Sequence, residues 1–151
     1  MIKIICVGKI KEKYLIDAIN EYKKRLSKYT KLDIIEVSDI DNPSKDIILE
    51  KEKNLIEKYI DPKDFVITLE IEGNMLNSVE LAQKINNTFN THSTITFIIG
   101  GSYGLHKAIK ERSNYKLSFS KLTFPHQLFR VNLLEQIYRS FKINNNEAYH
   151  K

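Results

Sequence analysis

Residues 94–104 read TITFIIGGSYG, an apolar run followed by three glycines within five residues. The run Thr94–Ile99 is typical of a buried strand, because it is short, rich in β-branched residues and bounded by a turn signal. Glycines at 100, 101 and 104 allow the backbone to approach a ligand closely and to direct amide groups toward it. No Gly-Lys-Ser/Thr follows, which excludes a P-loop, and the spacing fits a dinucleotide-binding fingerprint poorly. The stretch predicts a strand that ends in a small-molecule site or, alternatively, in a plain tight turn.

Apolar runs and helical patterns alternate along the rest of the chain. The predicted strands are Met1–Val7, Leu32–Val37, Phe65–Ile71, Thr94–Ile99 and Lys116–Ser120. Five helices are predicted. The first has about four turns and follows Lys13, and the others are Ile47–Ile60, a helix from the cap at Asn77 to about Phe89, Leu105–Arg112 and Gln127–Lys142. This alternation predicts an α/β fold with a mainly parallel sheet and helices on both faces.

In such sheets, ligands bind beyond the carboxyl ends of the strands. We therefore expect the functional site in the three loops Glu70–Asn74, Gly100–Gly104 and Phe119–His126. His126 opens the last helix and, taken alone, fits a capping or packing role better than a catalytic one.

Composition narrows the class of protein. The chain has 151 residues, 42% of them hydrophobic, which suits one domain over residues 1–151 and excludes wholesale disorder. No apolar run approaches the roughly 20 residues that span a bilayer. Cys6 is the one cysteine, so a disulfide framework and a cysteine-based metal site are excluded, and its position inside a strand predicts an inert, buried thiol. The four histidines show no metal-ligand spacing. We expect a small cytoplasmic α/β domain that binds no metal and no membrane.

The formal net charge of +5 raises the possibility of a nucleic-acid partner but does not establish one.

The last helix has apolar residues along one predicted side: Leu128, Val131, Leu134, Tyr138 and Phe141.

The same helix and the residues after it carry a second group of polar side chains. Asn132, Glu135, Gln136 and Arg139 recur at helical spacing, and Glu135 and Arg139 have the order that favours an i,i+4 ion pair. Composition alone predicts a loose tail over the polar residues 144–151. The final Tyr-His-Lys nevertheless offers an aromatic ring, a group that titrates near neutrality and a cation.

Six segments, taken together and in order, carry a specific likeness. They are Val7-Gly8-Lys9, Ile67–Glu70, Phe97–Gly104, Ser118–His126, Tyr138-Arg139 and Glu147–Lys151. With these segments the chain resembles the ribosomal RNA large subunit methyltransferase H family over essentially its whole length. The resemblance implies a SPOUT-type α/β fold with a C-terminal trefoil knot, although knots are rare in proteins generally.

The same resemblance implies an activity and partners. The family acts as a homodimer that uses S-adenosylmethionine to methylate N3 of pseudouridine 1915 in 23S rRNA on the assembled 70S ribosome. The cofactor would lie in the knot, with the active site built across the dimer and the C-terminal tail of one subunit closing over the cofactor of the other. The implied cofactor-binding residues are Leu69, Gly100, Phe119, Ser120, Lys121, Leu122, Thr123 and Phe124.

The resemblance also implies roles for residues of the last helix and the C-terminal tail, near the methyl-transfer centre. His150 is the candidate for a base or a base-positioning group, and Tyr149 for stacking on the substrate. Arg139 or Lys151 would stabilise negative charge on the ring, and Glu135 would lie beside Arg139. A ribosomal substrate would also be contacted through its phosphates, and the candidates for these contacts are basic side chains that include Lys9, Lys11, Lys13, Lys107, Lys110 and Arg112. The chemistry requires no metal. Two alternatives stay open: a 2′-O-ribose RNA methyltransferase of the same superfamily, and a non-enzymatic, basic ribosome-binding factor that binds no cofactor.

Overall fold

Five strands and five helices alternate in the computed structural model, which describes residues 1–151. Their bounds are β1 Ile2–Val7, α1 Lys13–Leu26, β2 Leu32–Val37, α2 Lys45–Glu57, β3 Phe65–Met75, α3 Ser78–Thr88, β4 Ile95–Ile99, α4 Lys107–Arg112, β5 Tyr115–Ser118 and α5 His126–Asn144. All ten predicted elements are present.

The strands form one sheet in the order β2-β1-β4-β3-β5, and every neighbouring pair is parallel. Strand β4 is central, since Phe97 pairs with Ile4 of β1 on one side and with Ile67 of β3 on the other. All five residues of β4 are buried, as its unbroken apolar run requires. The prediction of an α/β fold with a parallel sheet is confirmed.

Alternate residues of the strands feed two separate cores. Ile4 and Cys6 belong to the larger one, which α1, α3 and α5 cover. Ile5 and Val7 belong to the smaller one on the opposite face, beneath α2 and α4. Helices therefore cover both faces, as predicted. Cys6 is fully buried, so the predicted burial of this thiol is confirmed. Burial raises the pKa of the thiol to about 12, which favours the unreactive, protonated form.

Local capping explains where two of the helices begin. Asn77 accepts a hydrogen bond from the amide of Glu80, and the Glu80 carboxylate accepts one from the amide of Asn77, which completes a capping box. Helix α2 begins at Lys45, two residues before the predicted start, because the Ser44 side chain caps it by accepting from the amide of Ile47.

Strand β3 differs from its prediction, which ended it at Ile71. The strand shifts register after Leu69 and then pairs again with β5, Asn74 opposite Leu117 and Met75 opposite Ser118. Gly73 permits this second pairing, because a Cβ atom there would lie 2.8 Å from the carbonyl oxygen of Lys116. The predicted turn residues thus belong to an irregular extension of the strand.

Two predictions at the C-terminal end are wrong. Leu128, placed on the apolar side of α5, is 41% exposed, whereas Arg130 is 1% exposed and lies in the interior. The residues after α5 are not a loose tail. Tyr149 packs against the larger core, and Glu147 accepts hydrogen bonds from the Tyr29 hydroxyl at 2.8 Å and the Lys142 ammonium at 3.0 Å. These two contacts fix the chain where it leaves the helix.

Candidate functional site

A cavity of about 520 Å³ lies at the carboxyl ends of β3, β4 and β5. Its lining comes from residues 69–72 of β3, from residues 99–102, 104 and 105 around the glycine loop, and from residues 117–120 and 122–124, which run from β5 toward α5. The three loops expected to hold the site from sequence therefore meet around one cavity. This convergence follows from the parallel sheet, which places the carboxyl ends of its strands at one edge.

The glycine loop closes tightly on itself. Gly101 and Gly104 form an isolated bridge, and Gly104 has a φ of +76°, a conformation that side chains disfavour. A Cβ atom at Gly100 would lie 2.5 Å from the carbonyl oxygen of Gly104. The glycines thus serve a tight turn, and the same turn forms one wall of the cavity. The tight turn is confirmed, and the small-molecule site stays a prediction.

The opposite wall is aromatic. The rings of Phe119 and Phe124 lie 4.8 Å and 5.8 Å from the ring of Phe129 on α5, measured between centroids. The Ser118 hydroxyl donates to the carbonyl of Ser120 at 3.1 Å, which helps hold the chain as it leaves β5. An apolar wall opposite a backbone-rich loop is the usual composition of a small-molecule site.

Most of the predicted cofactor-binding residues line this cavity. They are Leu69, Gly100, Phe119, Ser120, Leu122, Thr123 and Phe124. Lys121 lies between two lining residues but does not line the cavity itself; its side chain is exposed. His126, at the first position of α5, also faces the cavity, a position that the sequence did not assign to it.

The four predicted catalytic residues form a second cluster. The Glu135 carboxylate accepts from Nε of Arg139 at 3.0 Å and from the Tyr149 hydroxyl at 3.1 Å. The Arg139 guanidinium lies 4.8 Å from the centre of the Tyr149 ring, and its Nη1 lies 3.0 Å from Nδ1 of His150. The predicted ion pair between Glu135 and Arg139 is therefore present, and it also holds the last two aromatic side chains.

The contact with Arg139 fixes the hydrogen-bonding state of His150. A guanidinium only donates, so Nδ1 of His150 is the acceptor and carries no proton. The proton of the neutral imidazole is then on Nε2, which faces away from Arg139. Burial and the hydrogen bond to Glu135 raise the pKa of Tyr149 to about 12, so its hydroxyl keeps its proton at neutral pH.

The cluster and the cavity do not meet within one chain. None of the four cluster residues lines the cavity. Phe129 of α5 faces the cavity, and Arg139 lies ten residues, or about 15 Å, further along the helix. A site that used both groups would need them from different subunits.

Sequence reasoning missed two polar groups near the site. Arg130 reaches from α5 to Glu36 at 2.6 Å and to the carbonyl of Gly8 at 3.1 Å, which ties the helix to the ends of β1 and β2. Glu70 lines the cavity; the sequence placed it at the end of the third strand and the start of the loop Glu70–Asn74, with no role of its own. The signal for Arg130 was its position one turn before Leu133 and Leu134, on the buried face of the helix.

One basic side chain is used differently from its prediction. Arg112 donates to the carbonyls of Asp61 and Asp64 and to the side chain of Asn114, so its guanidinium holds the loop before β3. Phosphate binding by Arg112 would have to break these bonds. Lys9 and Lys11 are exposed, as a phosphate contact requires.

Two further observations concern metals and membranes. No group of three or more His, Cys, Asp or Glu side chains that could hold a metal ion is present. No helix is both long and apolar enough to cross a membrane.

Comparisons with known proteins agree on the fold. A solved structure described as a probable methylase family protein from Haemophilus influenzae Rd KW20 superposes with a TM-score of 0.60 at 15% identity, covering 99% of this chain and 70% of that one. The structure of a tRNA (m1G37) methyltransferase from Aquifex aeolicus superposes with a TM-score of 0.51, also at 15% identity, covering 91% of this chain and 69% of that one. Identities this low establish a shared fold alone.

Sequence relatives are much closer. A protein from Methanococcus maripaludis is 62% identical over 99% of both chains. A ribosomal RNA large subunit methyltransferase H from Clostridium botulinum strain Hall is 57% identical, again over 99% of both. The family model described as predicted SPOUT methyltransferase matches residues 1–150. With this match over nearly the whole chain, the protein belongs to the SPOUT methyltransferase family.

Proposed function

We propose that this chain is an S-adenosylmethionine-dependent methyltransferase that methylates N3 of pseudouridine 1915 in 23S rRNA, on the assembled 70S ribosome. Full-length relatives named as ribosomal RNA large subunit methyltransferases support the rRNA substrate. The observation that carries the proposal is the cavity at the ends of β3, β4 and β5, bounded by the glycine loop and the aromatic wall.

The residues of the cavity fit the cofactor. A volume of about 520 Å³ accommodates a nucleoside with an amino-acid chain. The apolar side chains of Leu69, Leu117 and Phe124 suit a purine ring, and the glycine loop exposes backbone groups to the polar atoms. When bound, S-adenosylmethionine supplies an activated methyl group on a sulfonium. The task of the protein is to align this group with the acceptor nitrogen and to manage the N3 proton.

We infer that the working enzyme is a homodimer with a composite site. The support is the separation within one chain between the cavity and the cluster of Glu135, Arg139, Tyr149 and His150. In a twofold dimer, the cluster of one subunit can lie against the cavity of its partner.

The cluster suggests how the target base is held. Tyr149 offers a ring for stacking. His150 presents Nε2–H, a hydrogen-bond donor suited to a carbonyl oxygen of the pyrimidine ring. The Arg139 cation, beside His150, stabilises the negative charge that grows on that oxygen as N3 loses its proton. Glu135 orients Arg139 and Tyr149. The geometry thus favours His150 as a base-positioning donor over His150 as the base, since its unprotonated nitrogen is already occupied by Arg139.

We propose in addition that the chain after β4 forms the C-terminal trefoil knot of the family. The support is the path of the chain, which passes from the centre of the sheet to its edge at β5 and then returns through α5 to α1 and α3. Stretching the protein from both ends tests this proposal, because a tightened knot leaves the unfolded chain measurably shorter than its contour length.

Nucleoside analysis of rRNA tests the proposed reaction in cells. A strain that lacks this gene, complemented with the wild-type chain, should regain one methyl group on a pseudouridine base of 23S rRNA, detected by mass spectrometry. A methyl group on a ribose would favour the 2′-O-methyltransferase instead. If no modification differs between the two strains, and the purified protein binds ribosomes but not S-adenosylmethionine, the non-enzymatic binding factor would be favoured.

A further inference from the structure

One wall of the cavity carries a carboxylate that is held in place before any ligand arrives. Glu70 lies in β3, directly after Leu69, and its side chain is only 13% exposed. The hydroxyl of Thr68, a fully buried residue, donates to Oε2 of Glu70 at 2.6 Å. On the other side, Nζ of Lys110 lies 3.8 Å from Oε1. Glu70 therefore has a fixed orientation at the cavity wall.

The carboxylate keeps unused acceptor capacity in this arrangement. Each oxygen of a carboxylate accepts about two hydrogen bonds, and here one oxygen is used once, by Thr68. Lys110 is too far for a direct hydrogen bond. Oε1 and part of Oε2 thus remain available to donors inside the cavity.

The charge beside Glu70 selects among the donors of an adenosine-based cofactor. Such a cofactor offers an ammonium, a sulfonium, an adenine amine and the two hydroxyls of a ribose. Lys110 offsets the charge of Glu70 and repels a second cation, so the ammonium and the sulfonium are disfavoured. A neutral pair of neighbouring hydroxyls meets no such repulsion and can occupy both oxygens, as acidic residues do for ribose in other nucleotide sites.

We propose that Glu70, oriented by Thr68, binds the ribose hydroxyls of the methyl donor and thereby selects ribose over deoxyribose. This inference rests on the proposed use of S-adenosylmethionine. It gives Glu70 a role in specificity, separate from the backbone contacts of the glycine loop.

Binding calorimetry on the purified protein tests this role. The probes are S-adenosylhomocysteine and its 2′-deoxy and 3′-deoxy forms. For the wild type, we expect the loss of a hydroxyl to weaken binding about 10- to 100-fold, the range typical of hydrogen bonds to charged groups. In Glu70→Ala, the parent compound and the deoxy forms should bind with nearly equal affinity. Glu70→Gln, which keeps the shape and one acceptor oxygen, should lie between the two.

Two more variants separate orientation from charge. Thr68→Val keeps the carboxylate but removes the hydroxyl that holds it, so discrimination against the deoxy forms should fall several-fold. Glu111→Gln, the control, removes an exposed carboxylate on α4 that does not line the cavity, and it should discriminate like the wild type.

Each other result has a distinct meaning. If Glu70→Ala and the wild type discriminate equally, the role of Glu70 is wrong while the cofactor stands. If instead Glu70→Ala loses discrimination against a form lacking the amino group, Glu70 binds the ammonium and the inference is overturned. If the wild type binds none of the compounds, the proposed cofactor itself fails, and the inference fails with it.

Discussion

Gly100 shows how a single residue couples the turn to the cavity. Its absent side chain leaves room for the carbonyl oxygen of Gly104, which would lie 2.5 Å from a Cβ atom. We expect Gly100→Ala to push the loop into the cavity and weaken S-adenosylmethionine binding at least tenfold. The rest of the sheet should keep its structure. Calorimetry with the cofactor and circular dichroism check the two parts, and unchanged affinity would contradict the role assigned to the loop.

At His150, a substitution can distinguish between two roles: a hydrogen-bond donor through Nε2–H, and the base that removes the N3 proton. Glutamine can replace Nε2–H as a donor but cannot act as a base near neutral pH. We expect His150→Gln to keep most of the methyl-transfer rate and His150→Ala to lose about tenfold or more, the range typical of one hydrogen bond to a charged group. Single-turnover rates measured against pH provide the check. An acidic limb that is present in the wild type and lost in His150→Gln would identify His150 as the base.

At the scale of an element, the Glu147 carboxylate anchors the start of the chain after α5, ahead of the contacts that Tyr149 and His150 make with Glu135 and Arg139. Two hydrogen bonds lower the pKa of Glu147 below its usual value of 4.5. The one from the Lys142 ammonium has the larger effect, and the one from the Tyr29 hydroxyl the smaller. Because the pKa of Glu147 is lowered in the folded protein, the carboxylate contributes its full stabilisation above about pH 4.5. This stabilisation is lost as the pH falls through the lowered pKa. The final residues should therefore remain docked at neutral pH and loosen in acid.

Amide exchange over residues 146–150 measures this docking. Glu147→Gln removes the charge, so we expect faster exchange already at neutral pH and little further change in acid, after correction for the intrinsic pH dependence. Glu111→Gln is the matched control, because Glu111 is an exposed carboxylate on α4 that lies 3.7 Å from the Lys107 ammonium and does not touch the chain after α5. Equal exchange in the wild type and Glu147→Gln would contradict the proposed anchor.

The elements also show what could be predicted from sequence. Short runs rich in apolar residues, such as the one before Gly100, predicted β1 to β4, whereas β5 was predicted from the weaker apolar pattern of residues 116–120. Asn77 with Glu80 predicted the start of α3. The extension of β3 was missed because it depends on pairing with β5, which is distant in sequence. The buried face of α5 was predicted correctly at Leu134 and Tyr138. Arg130 was missed because its buried charge is compensated by Glu36, a partner 94 residues away.

The sequence predicted where the loops of the site lie, but not the contacts of the individual side chains in it. Parallel topology places the ends of β3, β4 and β5 together, so the three loops followed from the strand pattern alone. Thr68 and Glu70 lie two residues apart on β3 and therefore share a face, but the sequence does not show that this face adjoins the cavity. The docking of Tyr149 on Glu135 depends on the path of the chain after α5, which no spacing rule encodes.

At the scale of the whole molecule, a composite site predicts complementation between two defective subunits. One subunit carries Gly100→Ala, and the other ends after Ala148 and lacks the last three residues. A heterodimer purified through two different tags would keep one intact pairing of cavity and tail. We expect about half of the wild-type activity from it, and near zero from each defective homodimer. An inactive heterodimer, or a wild-type protein that is monomeric in solution, would contradict the composite site.

The transfer of a labelled methyl group from S-adenosylmethionine by the purified protein tests the central claim most directly. The acceptors are 70S ribosomes from a strain that lacks this gene and, for comparison, naked 23S rRNA from the same strain. We predict label on one pseudouridine base of 23S rRNA, with far better transfer to the ribosome than to naked rRNA, and with loss of transfer in Gly100→Ala. Absence of label from 23S rRNA in both acceptors, with cofactor binding intact, would contradict the assignment of the rRNA substrate.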